Sequence, residues 1–139
     1  MIFYGVNPVI EALRAEFPLQ HIYIDTRKKN PAVGKVEQLA KQNAVPVKRL
    51  PDLRSLTKSP DHQGVCAECE ELGTTPLPDG PIDADLVVMF DGIEDPHNFG
   101  AALRVCEGLG VRHVIYHKGN SSGITPAAVK VSTGAVFHL

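Results

Sequence analysis

The chain has 139 residues, 43% of them hydrophobic and 22% charged, with a formal net charge of −2. That length holds one ordinary domain or two small ones, and the composition is that of a globular chain with a buried core. The opening MIFYGVNPVI has no basic n-region, and the longest strongly apolar block, residues 86–90, is far short of a bilayer span. A soluble cytoplasmic protein is therefore expected, and three cysteines without a signal peptide predict reduced thiols rather than a disulfide framework.

Asn7 followed by Pro8 predicts a capped helix start, with Ile10, Leu13 and Phe17 on one face. His21 to Asp25 reads as a short strand and residues 33–44 as an amphipathic helix. VPVKRL reads as a second strand, Asp52 to Leu56 as a helical turn, and HQGVCAECE as a third strand. This αβαβαβ order favours a small sheet flanked by helices. ELGTTPLPDGPIDAD, rich in proline and glycine, then predicts a linker.

A second piece starts with DLVVMF, a continuous apolar run suited to a strand buried on both faces. Helix 98–108 follows the DGIEDPHN loop, with Asn98 as its expected cap, and RHVIYH predicts the next strand. Thr125-Pro126 starts another helix, and AVFHL reads as the beginning of a third strand. Strand, helix, strand, helix, strand with short loops predicts a parallel α/β unit, one with too few strands to cover its edges. The resulting division is 1–75, a linker at 76–84, and 85–139.

Charge is distributed unevenly. Arg27 to Lys58 holds nine Lys or Arg against two acids, whereas residues 59–103 hold ten acids and no Lys or Arg. The basic segment, with Arg27, Lys28, Lys29, Lys48 and Arg49 as candidate contacts, reads either as a phosphate-binding footprint or as a solvated helix face. Few aromatics interleave with it, which argues against base stacking.

Three local patterns invite chemistry and are better explained without it. Cys66 and Cys69 form a C-x-x-C with His62 four residues upstream, but a fourth zinc ligand is lacking, and on a strand the two thiols face opposite sides. GLGVRH follows a helix and lacks the third glycine of a dinucleotide loop, so it reads as a helix C-cap. Gly119-Asn120-Ser121-Ser122-Gly123 matches a nucleophile elbow, yet no acid follows Glu107, so a polar connecting loop is expected.

The loop after DLVVMF is different. A helix starting at Asn98 aims its first amides at the carboxyl edge of a parallel sheet, where α/β folds bind ligands. Gly100, Arg104 and Gly108 recur at i, i+4 and i+8, leaving Arg104 without bulky neighbours one turn away. The competing explanation is an Arg paired with Glu107 and glycines that allow close helix packing.

Asn98-Phe99-Gly100-Ala101-Ala102-Leu103-Arg104 resembles the N-x-G-x-x-x-R first motif of the SpoU (TrmH-like) branch of the SPOUT RNA methyltransferases. DGIEDPHNFGA and VKVSTGAVFHL are similar to the guanosine 2′-O-methyltransferases of large-subunit ribosomal RNA. YGVNPVIEALRAE, HIYIDTR and HQGVCAE resemble that group's substrate-binding domain. The resemblance implies an α/β chain: a small RNA-binding domain like the small ribosomal proteins, then the opening portion of an α/β-knot catalytic domain. The family's second and third motifs, G-x-E-x-x-G and I-P…S-L-N-x-S, do not occur in the sequence.

The implied reaction is methyl transfer from S-adenosylmethionine to a ribose 2′-hydroxyl of RNA. Most of the donor site is expected in the missing motifs, so no donor-binding residue is assigned. Asn98 and Arg104 are the implied catalytic residues, Gly100 permits close approach of RNA, and no metal is called for. Ribosomal RNA is the implied partner, with a homodimer at full length and neither DNA nor membrane. A stand-alone RNA-binding module without catalysis is the alternative.

Overall fold

The computed structural model describes residues 1–139, which fall into two compact units, Met1–Glu71 and Leu72–Leu139. The first contains β1 (Ile2–Tyr4), α1 (Val6–Arg14), β2 (Leu19–Asp25), α2 (Val33–Gln42), β3 (Val47–Leu50), α3 (Arg54–Thr57) and β4 (Val65–Cys69). Its sheet has the order β1-β4-β2-β3, antiparallel except for the parallel β2–β3 pair. Alternation along the strands puts Phe3, Ile22, Ile24, Val65 and Ala67 on one face, all buried. The apolar stripes of the helices, Val6, Val9, Ile10 and Leu13 of α1 and Val33, Val36 and Ala40 of α2, complete this core.

Two expectations fail here. Asn7 is exposed and does not cap α1; the helix starts at Val6 after Gly5, whose φ of 105° favours glycine. The cap comes from far along the chain, because the Val6 amide donates to Gln63 Oε1 at 3.0 Å. The unit also has a strand that the sequence pattern does not announce. β1 is only three residues long; Ile2, Phe3 and Tyr4 favour extended backbone, but so short a run becomes a strand only through its pairing with β4.

The second unit contains β5 (Val87–Phe90), α4 (Pro96–Gly108), β6 (His113–Tyr116) and α5 (Pro126–Val131), with 3-10 turns at Lys118–Asn120 and Ala135–His138. β5 and β6 pair in parallel from Val87↔His113 to Phe90↔Tyr116. Phe99 of α4, fully buried, meets both strand ends edge-on, with ring centroids 5.4 Å from Phe90 and 5.1 Å from Tyr116. The second unit begins at Leu72, ahead of the expected 76–84 linker.

AVFHL is not a strand. Thr133 and Gly134 turn the chain through positive φ, and Ala135 and Val136 are then buried consecutively in a 3-10 turn. Consecutive burial is incompatible with the two-sided alternation of a strand. The cap of α4 is also corrected. Asp95 is the N-cap, Pro96 opens the helix, and Asp95 Oδ2 accepts from the Asn98 amide at 2.9 Å. At the other end the expected stop is present: the helix ends at Gly108, and Gly110 has φ 79°.

Candidate RNA-facing and catalytic sites

Asn98 and Arg104 both lie on α4 with exposed side chains. Arg104 takes part in none of the ion pairs, and Glu107 does not neutralise it. Its guanidinium faces solvent midway along α4. Six residues apart, the two side chains project about 120° apart around the helix and about 9 Å apart along it, so Asn98 does not buttress Arg104 directly. Nor is the Asn98 amide a free donor for an anion, because the Asp95 carboxylate already uses it.

Gly100 departs from its expected task. A Cβ at this position would lie 2.5 Å from the Ala128 carbonyl oxygen and 3.0 Å from Val131 Cβ, so the space beside it is filled by α5. The residue allows α4 and α5 to pack backbone against backbone rather than opening a path for RNA. A Cβ at Gly108 would meet nothing within 4 Å. The two glycines thus share a spacing and not a function. Packing against α5 holds α4 at Gly100, and Arg104, one turn further along the helix, is exposed.

The basic residues of the first unit are divided by strand geometry. Arg27, Lys28 and Lys29 occupy the exposed turn after β2, where Lys28 Nζ also donates to the Pro60 carbonyl at 3.2 Å. Lys48 and Arg49 are neighbours on β3 and so point to opposite faces of the sheet. Arg49 is paired with Glu37 of α2, whereas Lys48 stands in register with Tyr23 of β2. The stretch that reads as one basic footprint is thus at least two surfaces.

A cluster that the sequence reading did not assemble brings Asp25, Asp52 and His62 together, with one ligand-type atom from each lying within 4.8 Å of the others. Its hydrogen bonds argue against a metal. His62 Nδ1 accepts the Gly64 amide at 3.1 Å, which leaves the ring proton on Nε2, 3.8 Å from Asp25 Oδ2. A metal-bound histidine normally donates through its second nitrogen, and here that nitrogen is already an acceptor. Asp25 Oδ1 takes the Arg27 amide, and Asp52 accepts from the backbone and side chain of Arg54. The three residues hold turns together, including the Gln63-Gly64 turn that caps α1.

The three cysteines are free and buried. Burial pushes the Cys66 thiol up to about 12 and also raises Cys69 and Cys106, so none is a ready thiolate. In the 119–123 loop, Ser122 Oγ donates to the Gly123 carbonyl at 3.3 Å and Ser121 Oγ is buried without a partner. Neither has the hydrogen-bonded base that would activate a serine nucleophile.

Two family models match the chain. Residues 2–75 match the model described as RNA 2′-O ribose methyltransferase substrate binding, and residues 85–139 match the SpoU rRNA methylase family. The chain belongs to the SpoU family of RNA methyltransferases. Among its relatives, the 23S rRNA (guanosine-2′-O-)-methyltransferase RlmB of Pseudomonas syringae pv. tomato is 34% identical over 142 residues, covering 95% of this chain and 56% of the relative. The enzyme of the same name from Coxiella burnetii is 32% identical over the same shares.

The SpoU fold is also seen in solved structures. The SpoU methyltransferase AviRb from Streptomyces viridochromogenes, in complex with the cofactor AdoMet, aligns with a TM-score of 0.74 at 24% identity, covering all of this chain and 53% of that one. An rRNA methyltransferase from Sinorhizobium meliloti aligns at 0.73 and 22% identity, covering 99% and 52%. The chain spans about half the length of the relatives it matches.

Proposed function

We propose that the chain is the amino-terminal portion of an S-adenosylmethionine-dependent RNA 2′-O-ribose methyltransferase acting in the cytoplasm on a guanosine of large-subunit ribosomal RNA. In this reading residues 1–75 hold RNA, 76–84 link, and 85–139 open a catalytic domain that dimerises at full length. The observation that carries it is the unpaired, solvent-facing Arg104 within N-x-G-x-x-x-R, on a helix anchored by Gly100. Relatives whose names specify guanosine 2′-O-methylation of 23S rRNA support the substrate class.

S-adenosylmethionine supplies the methyl group. The residues present do not form a site for a molecule of that size: the loop 91–95 is largely exposed, and the one orphaned buried polar atom of this unit is Ser121 Oγ. No step is therefore assigned to the donor's surroundings. An alcohol is a poor nucleophile at neutral pH, and its oxygen gains negative character as its proton leaves. Arg104 stabilises that oxygen or the adjacent phosphate through charge and a planar fork of donors. Asn98, one and two-thirds turns earlier, contacts the ribose rather than Arg104. Arg27, Lys28, Lys29 and Lys48 meet phosphates, while Arg49 is held by Glu37.

The test joins residues 1–139 to the carboxyl-terminal portion of the Pseudomonas syringae relative. Calorimetry is expected to find saturable S-adenosylmethionine binding in the chimera and none in the 139-residue chain. Arg104→Ala in the chimera is expected to slow single-turnover methylation of ribosomal RNA by roughly a hundredfold to a thousandfold while leaving donor affinity and thermal stability nearly unchanged. Arg104→Lys restores little, because the ammonium lacks the planar fork. Near-normal methylation by Arg104→Ala would remove the assignment.

A further inference from the structure

The sheet of the first unit has a second face, opposite Phe3, Ile22 and Ile24. Register puts His21 opposite Glu68, and Tyr23 opposite both Cys66 and Lys48. His21, Tyr23, Lys48 and Glu68 therefore stand on one side. The His21 and Tyr23 rings are neighbours, with centroids 6.0 Å apart and planes inclined at 38°. The Lys48 ammonium lies 5.9 Å from the Tyr23 centroid. Tyr23 is held at its far end, where its hydroxyl donates to Glu68 Oε2 at 2.7 Å. His21 Nδ1 lies 3.4 Å from the same oxygen without making a hydrogen bond. None of the four side chains is fully buried.

A ring fixed by its hydroxyl loses little further freedom when a flat partner settles on it, which keeps the entropic cost of stacking low. The neighbouring cation suits a ligand that is aromatic and anionic together. Arg27 to Lys29, in the turn that follows the same strand, extend the positive charge. An unpaired nucleotide has both properties: a π-face for the rings and phosphates for the cations. A membrane has no flat aromatic group to offer, and an acidic peptide would leave the rings without a stacking partner. The linear sequence conceals this arrangement, because the aromatic residues precede the basic run and meet Lys48 only through β2–β3 pairing.

We propose that the sheet face bearing His21, Tyr23 and Lys48 stacks an unpaired nucleobase of the RNA. The inference rests on the RNA-binding reading of residues 1–75 and adds which surface is used and what it takes. Tyr23 and His21 supply the platform, Lys48 meets a flanking phosphate, and Glu68 positions Tyr23.

The test uses the 139-residue chain and two RNA hairpins, one with 2-aminopurine in its unpaired loop and one with it in the stem. Binding is expected to change the fluorescence of the loop probe by stacking and to leave the stem probe unaffected. Tyr23→Leu is expected to weaken loop-hairpin binding roughly fivefold to a hundredfold and remove the loop signal, with the salt dependence preserved because no charge is lost. Tyr23→Phe keeps the ring but frees it from Glu68, so the loop signal is retained and binding weakens less than in Tyr23→Leu. Lys48→Gln weakens binding and lowers the salt slope by about one. If Tyr23→Leu fails to fold by circular dichroism, His21→Ala is read in the same way. Wild-type affinity and loop signal in the ring-deleted variant would overturn the stacking inference while RNA binding stands; failure of the wild-type chain to bind either hairpin would overturn both.

Discussion

Residues 1–71 and residues 72–139 each pack helices on a small sheet, but they cover their apolar surface to different extents. In the first unit the four-stranded sheet buries the β1, β4 and β2 residues of one face, and its edge strand β3 carries Lys48 and Arg49, charges that discourage edge-to-edge association. In the second unit the sheet has two strands, both edges, and Leu77, Leu86, Met89, Val105 and Leu109 are between 52% and 73% exposed. Only Val47, at 37%, is an exposed large apolar residue in the first. A sheet closed on one face is a finished scaffold; a two-stranded sheet beside exposed Met89 and Leu86 has the surface of an unfinished core. The difference matches a family in which this chain aligns with about half of each relative.

The largest test of that comparison separates the units. A fragment of residues 1–71 is expected to unfold cooperatively in urea, whereas residues 72–139 alone should bind a hydrophobic dye and melt without a sharp transition. Cooperative unfolding of both fragments, with no dye binding, would break the contrast.

A smaller effect sharpens it within the second unit. Gly100→Ala should lower stability by ~1–3 kcal/mol, because its Cβ meets the backbone carbonyl of Ala128 rather than a movable side chain. Gly108→Ala should be neutral or slightly stabilising, since that side of α4 is open. Equal thermal shifts in the two variants would mean that α4 does not seat on α5 through Gly100.

The smallest effect is a pH dependence confined to the first unit. Burial, with the Lys28 charge beside it, holds the His62 imidazole below its ordinary 6.5, against the pull of Asp25 and Asp52. The unfolded chain therefore binds this proton more readily than the folded one. The stability contribution is fully present above about 6.5 and declines as pH falls from there toward the lower folded value. His62→Gln should cost some stability at neutral pH and flatten the decline below pH 6.5. Glu68, held below its ordinary 4.5 by the Tyr23 hydroxyl, acts in a lower range and does not confound the measurement.

Much of the fold was legible because local signals and tertiary packing agree. β2, α2, β3, β4, β5, α4, β6 and α5 all occur where periodicity, caps and breakers indicate, within the few residues by which element ends blur. The misses fall where distant residues decide. β1 is extended because β4 pairs with it, α1 is capped by Gln63 instead of Asn7, and the 135–138 turn is selected by packing and positive φ at Thr133 and Gly134. The N-x-G-x-x-x-R pattern located Arg104 but could not say what Gly100 is for, because two roles for glycine, an open approach and a closed helix contact, leave the same trace in sequence.

The sequence by itself determined the alternation of strands and helices, the inert character of the cysteines, and the motif that carries the family resemblance, since all of these reside in local pattern and composition. Tertiary structure alone decided which charges share a surface. It sent Lys48 and Arg49 to opposite faces through the two-residue repeat of β3, committed Arg49 to Glu37, and brought Lys48 beside Tyr23 by the register of β2 and β3. It also closed the space beside Gly100 and left Arg104 in solvent. Charge and spacing along a chain are one-dimensional, whereas a binding surface is made by strand pairing and helix rotation, which depend on residues far away in sequence.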